Sequence, residues 1–315
     1  MNYRKLGLFV ILGLVLVCGI LFFLREHIME RSDAHADITD LSALYAATEE
    51  IAAAEQRLAE GIQPAEVVTR LQDGSWRIAI VIDGLPERPL AARLLDVLQK
   101  HKARAVFFVE GQNAAEQPET IRLIHDAGQE IGNYTFVGIR AAEKIPAKRL
   151  LAELCRTQAA AVTLSSETPR LFRAPGTVYT DPLLAAVKAA GIEYAVKENV
   201  RHVAGTFRDA ADAAAFAGSI PPGSILAFSV SRPVEALAQE DGKSDERPAV
   251  DKKPNIEDPP PVRNAPRPPD AADELDWLLT ALAARGMQAT DIHDFRKIRY
   301  IPAPYPAAQA VEGGV

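Results

Sequence analysis

The stretch AIVIDGLP, residues 79–86, decides how the rest of the chain is read. With Ile78 before it, the apolar run Ile78, Ala79, Ile80, Val81, Ile82 fits a strand buried on both faces, the pattern of a parallel sheet. The run ends on a single aspartate, Asp83, and passes at once into glycine, leucine and proline. In α/β proteins a polar residue at the carboxyl end of a core strand stands where binding and chemistry are placed.

Outward from this strand the same alternation repeats. LAARLLDVLQKH reads as a helix, RAVFFVEG as a strand, PETIRLIHDAG as a helix and QEIGNYTF as a short strand. A helix over AKRLLAELCRTQAAAV, a strand at PRLFRAPG and a helix opened by Asp181 as N-cap with Pro182 follow. EYAVKEN and SILAFSVS are strands, ADELDWLLTALAARG a helix, and MQATDI the last strand. The alternation predicts an α/β domain over residues 76–297, a parallel sheet covered by helices, closed or open. Asp83, Tyr134, Arg173 and Ser229 all fall at strand carboxyl ends.

The flanks differ. Residues 6–24 form an uncharged apolar run about 28 Å long as a helix, enough for a bilayer core. Arg4 and Lys5 precede it and mixed charges follow, so residues 1–5 are expected in the cytoplasm and the remainder outside. The AHA at residues 34–36 resembles a signal-peptide cleavage site but lies far beyond the apolar run, which favours an uncleaved anchor in the plasma membrane. Residues 25–75 read as a helical stalk, with a main helix ending near Gly61 and a short one over residues 64–71. Residues 235–270 are rich in proline and charge and read as a disordered insertion. They leave a strand's carboxyl end, so they are expected on the site face, as a lid, a docking arm or a tolerated insertion. Residues 298–315 read as a tail.

Composition narrows the partners. A formal charge of −7, with no long block of Lys and Arg, argues against nucleic acid, which needs a basic face. The two cysteines, Cys18 and Cys155, fall on different segments, which makes a disulfide between them unexpected, and no spacing suggests a zinc ribbon.

The order of the pieces resembles the polysaccharide deacetylase (NodB-like carbohydrate esterase) family. IAIVIDGLP is similar to that family's first motif, an apolar strand ending in T-F-D-D-G-P. LLDVLQKHKARAVFFVEG and GQEIGNYTF resemble the segment that follows, LFRAPGTVY the R-x-P-x-G motif, and PPGSILAFSV the strand G-S-I-x-L-x-H. The resemblance implies a distorted (β/α) barrel that removes acetyl groups from glycans. Active members hold a divalent metal, usually zinc, with one aspartate and two histidines, and use a second aspartate as base and a late histidine as acid.

Carried over position by position, most of that equipment is replaced. Asp83 matches the base aspartate and Gly84 stands for the metal aspartate; a shift by one residue would make Asp83 the metal aspartate and Ile82 the lost base. Tyr134 and Gly138 stand for the metal histidines and Ser229 for the acid histidine, while Arg173 and Pro175 remain. Glycine offers no ligand, and a neutral phenol is a poor one. Of the chain's histidines, only His202 falls in a loop expected to face the site.

The expectation is therefore a membrane-anchored, catalytically impaired family member that binds or scaffolds an envelope glycan without zinc. Asp83 with Arg173 is either a pair that touches sugar or a plain buried ion pair. Tyr134, Pro175, Tyr179 and Ser229 are the candidates to contact a sugar. Two alternatives stand: an active deacetylase that uses Asp83 without the usual metal, and a platform whose 235–270 arm recruits another protein of polysaccharide synthesis.

Overall fold

The computed structural model describes residues 45–71, 74–230 and 269–296. The expected anchor (residues 6–24), the insertion up to residue 268 and the tail lie outside the described residues. Among the described residues no helix is long and apolar enough to cross a membrane.

The expected alternation forms one parallel sheet with helices on its outer face. In chain order the elements are α1 (Thr48–Ala59), β1 (Glu66–Val68), β2 (Arg77–Asp83), α2 (Arg88–Lys100), β3 (Ala105–Val109), α3 (Gly111–Glu116) and α4 (Pro118–Asp126). They continue as β4 (Glu130–Asn133), α5 (Ala147–Ser165), β5 (Leu171–Phe172), α6 (Asp181–Ala189), β6 (Tyr194–Val196), β7 (Val200–Val203), α7 (Ala210–Ser219), β8 (Ser224–Ser229), α8 (Ala271–Ala284) and β9 (Gln288–Thr290). The strand order is β1-β6-β5-β4-β3-β2-β8-β7, and β9 also pairs with β2. Every pairing is parallel.

This order cannot stay flat. β6 lies beside β1 at one end and β7 lies at the other, yet only Lys197, Glu198 and Asn199 separate them. Such a link reaches at most about 14 Å. The sheet therefore curls until its ends meet: Leu71 N donates to Gly223 O at 2.8 Å, and Asn199 N to Ile225 O at 3.3 Å. The Asn199 side chain reinforces the seam, receiving Ile225 N at 2.8 Å and donating to Ser224 Oγ at 2.9 Å.

Alternation along each strand sorts the core into two layers. Ala79, Val81, Val106, Phe108, Leu171, Val196, Ile225 and Ala227 fill the inside of the curl. Ile78, Ile80, Ile82, Phe107, Val109, Leu226 and Phe228 face outward onto Leu94, Leu98, Ile121, Leu275 and Leu278 of the helices. Both faces are apolar, which is why β2 reads as a continuous hydrophobic run.

Several expectations change here. Residues 48–71 are not a spacer: Ala54 is fully buried, Ile51 and Leu58 pack on residues of α5 and α6, and Arg57 Nε donates to Ala189 O at 2.8 Å. The expected helix over residues 64–71 is instead β1, where Val67 and Val68 pair with Ala195 and Val196. β-branched residues favour a pleated surface when a strand edge is at hand. Thr180, not Asp181, caps α6, its side chain accepting Leu183 N. α3, β7 and α7 were not expected. The sequence of α7, AADAAAFAGS, carries no apolar period, and β7 sets Arg201 and His202 side by side.

One contact inside the curl gives a direct test. A Cβ on Gly132 of β4 would lie 2.5 Å from Phe108 Cδ1 and Cε1. Phe108 is itself fully buried, so its ring has nowhere to swing. Gly132→Ala is expected to cost about 1–3 kcal/mol in urea unfolding; an unchanged midpoint would mean that the ring has room.

Candidate functional site

The inner alternation places a ring of polar groups at the carboxyl ends of the strands. Two residues past Val81 comes Asp83, past Phe108 comes Glu110, past Leu171 comes Arg173, past Val196 comes Glu198 and past Ala227 comes Ser229. Tyr134, just past β4, belongs to the inner cluster itself. Asp83 is level with Phe108 on one side and Ser229 on the other.

Arg173 and Asp83 meet as a parallel fork. Arg173 Nε donates to Asp83 Oδ1 at 2.7 Å and Nη2 to Oδ2 at 3.0 Å, with side chains 1% and 3% exposed. The third nitrogen, Nη1, donates to Glu198, which also receives Arg201. Burial works against the charge on Arg173, but Asp83 and Glu198 hold its pKa above that of ordinary arginine. Burial pushes the Asp83 carboxyl upward, and Arg173 opposes it. Burial also opposes the charge on Glu198, but Arg173 and Arg201 together bring it down to about 2.

The loop after β4 is built from its own side chains. Asn133 Oδ1 receives Thr135 N at 2.9 Å and Thr135 Oγ1 receives Ile139 N at 2.8 Å. Glu153 Oε2, from α5, receives Phe136 N at 3.0 Å and Val137 N at 3.2 Å. This frame presents Tyr134, buried beside Phe108, and Gly138. Gly84 and Gly138 have φ of 89° and 71°, a region that side chains rarely adopt.

The other sequence candidates are spread around the ring. Tyr179 spends its hydroxyl on Val196 O at 2.9 Å and lays its ring against Phe172. Pro175 is buried, and its carbonyl receives Ala141 N at 3.1 Å. Ser229 ends β8, half-buried, with its carbonyl on Ala204 N. His202 does not join them. It is level with Phe228, on the outer face, where it bonds Glu274 at 2.6 Å and stacks on Phe207 with ring centres 3.9 Å apart.

Glu110 was missed. It is fully buried, with Oε2 receiving Leu85 N at 3.2 Å and Asn113 Nδ2 at 3.2 Å, while Oε1 has no hydrogen-bond partner. Burial pushes its carboxyl up to about 7, and the Asp83 carboxylate adds to the push. The signal was present in AVFFVEG: counting two residues on from Val106 and Phe108 puts Glu110 inside the curl.

Comparison with known proteins bears on what carries this ring. The family model described as polysaccharide deacetylase matches residues 70–195. A chitooligosaccharide deacetylase of Sinorhizobium fredii is 30% identical over 178 residues, 55% of this chain and 81% of that protein. The chain belongs to the polysaccharide deacetylase family. A chitooligosaccharide deacetylase of a Bradyrhizobium strain is 31% identical over 119 residues, covering 38% of this chain and 54% of that one. The match thus spans about half the length of the Bradyrhizobium protein. A family 4 carbohydrate esterase from Bacillus anthracis has a similar fold, with a TM-score of 0.51 at 18% identity over 77% of this chain and 91% of that one. The curled parallel sheet is therefore the fold of this family, as the motif order implied.

Proposed function

We propose that this member of the polysaccharide deacetylase family binds an N-acetylated envelope glycan and does not run the family's metal-dependent deacetylation. The observation that carries the reading is the state of the ring at the strand ends. Zinc takes imidazole, thiolate or carboxylate donors in a tetrahedral set. With Asp83 at the base position, the family's metal positions hold two glycines and Tyr134, whose phenol burial drives well above its usual range; in the register shifted by one, Asp83 takes the metal aspartate's place. Asp83, the remaining carboxylate of the motif, has both oxygens on Arg173. These residues do not fit zinc. Among the described residues a different trio, Glu130, Asp291 and His293, has ligand atoms within 4.8 Å of one another, but it gathers at the amino end of β4 and just past β9 and includes none of the ring residues.

The glycan assignment rests on the relatives, whose names specify chitooligosaccharide or peptidoglycan as substrate. The 134–139 loop supports it, since Asn133, Thr135 and Glu153 hold its backbone in place and present Tyr134 as a fixed face for a sugar. In this reading residues 6–24 anchor the chain in the membrane, with the barrel on the outer side. The 235–270 arm is then free to engage another envelope protein.

Purified full-length chain is expected to bind an N-acetylchitooligosaccharide by calorimetry while taking up no stoichiometric zinc. One tightly bound zinc together with release of acetate would sink the proposal. A second reading, Asp83-dependent hydrolysis without the usual metal, is favoured by Glu110, because it adds a carboxyl raised to about 7 near Asp83, and such a pair can divide the roles of acid and base. It requires acetate release that disappears in Asp83→Ala.

A further inference from the structure

We propose that Glu110, and not Ser229, takes the acid's place in this ring, a neutral carboxylic acid that offers its Oε1–H to an oxygen of the bound sugar. The proposal rests on the glycan reading above and extends it to a residue for which the family resemblance implied no role.

Hydrogen bonding fixes where the proton sits. Oε2 accepts from Leu85 N and Asn113 Nδ2, so its lone pairs are spent and the acid hydrogen belongs on Oε1. Oε1 is the single buried side-chain polar atom without a partner among the described residues. Leaving such a group unpaired forfeits its hydration, and native structures keep such groups for a stated reason. A ligand acceptor supplies the reason here. Glu110 lies on the inner face with Asp83 and Tyr134, and the ring is half-open to solvent at Ser229 and Glu198.

The surroundings favour the neutral form. Asp83 and Tyr134 face Glu110 from β2 and β4. Beyond them Arg173, Glu198 and Arg201 are committed to one another and to Asp83. On α5, Glu153 holds the 136–137 backbone and Arg156 lies over the Phe136 ring. Among the described residues no cation figures among the groups that act on Glu110, and its titration near 7 places the switch within reach of ordinary buffers.

The test is calorimetric binding of N-acetylchitotetraose to the full chain, the parent against Glu110→Gln, at about pH 5.5 and about pH 8.5. The parent is expected to lose about 30-fold in affinity across that range as the acid ionises. Glu110→Gln keeps a donor at the same place and should bind equally at both values, near the affinity of the parent at the lower pH. Equal pH dependence in the two proteins overturns the inference and leaves the glycan reading intact. The same holds if a buried water satisfies Oε1, for then the parent binds alike at both values. Absence of binding by either protein at either pH overturns the glycan reading itself. The proton has its own readout: the infrared carbonyl band of a protonated carboxyl should be present at about pH 6 in the parent and missing in Glu110→Gln. Its absence from the parent rules out the neutral acid whatever the sugar does.

Discussion

Arg173→Met is expected to lower the stability of the barrel by about 3–5 kcal/mol. The substitution removes the fork on Asp83 and leaves that carboxylate buried without a counter-charge, and it strips Glu198 of one of its two arginines. The loss reflects the stranded charge more than any net worth of the pair. Asp83→Leu combined with Arg173→Met should therefore recover most of it, because an apolar pair of similar volume often replaces a buried ion pair without penalty. Urea unfolding of the parent, the single and the double variant measures both. A single-variant loss below about 1 kcal/mol would mean that the pair is better hydrated than its burial indicates. The double variant also separates the two readings of the pair. If it regains stability and still binds sugar, the pair is a structural tie. If it regains stability and loses binding, Asp83 or Arg173 touches the ligand.

The second large effect is a slope of stability against pH that belongs to Glu110. Its carboxyl is raised from the usual 4.5 to about 7 in the folded protein. The folded state therefore holds a proton that the unfolded state has released. That contribution is complete below about pH 4.5 and is lost as pH rises through about 7, a total of about 3 kcal/mol. Glu110→Gln should flatten the slope, making the variant more stable than the parent at about pH 8.5. Glu198 works in the opposite direction and in another window: its carboxyl is lowered to about 2, so its contribution is present above about 4.5 and fades only as pH falls toward 2. Unfolding midpoints across this range resolve the two. A parent protein whose stability is level between about pH 5 and about pH 8.5 would show that the Glu110 carboxyl is not raised.

What could be read from the sequence depended on how far a signal extended along the chain. β2 and β3 announce themselves because both their faces are buried, and that placed Asp83 at a strand end without any comparison. Arg173 was legible from its motif, although its strand, β5, is only Leu171 and Phe172. β1 and β7 were not legible, since three or four residues do not make a period and their strand character comes from an edge waiting to be paired. α1 read correctly as a helix and wrongly as a spacer, because an alanine face suits close packing as well as solvent. His202 looked available because a loop was expected there. The strand that replaced the loop turned it outward to Glu274. Glu110 was not legible from the motifs, because its place inside the curl follows only from counting in twos from Val106 and Phe108.

The double pairing along one edge of β2 also sets an order on the ribosome. Arg77, Ile78 and Ala79 pair with Gln288, Ala289 and Thr290, while the next residues of the same strand pair with β3. β2 is thus among the first core strands to be synthesised and the last to have its edges filled. At about 5–20 residues per second, roughly two hundred residues of further synthesis separate the two events, on the order of ten to forty seconds. During that interval the apolar run of β2 carries an open edge, which makes its waiting state, more than its finished barrel, the stage at which a nascent chain is most in need of protection from self-association.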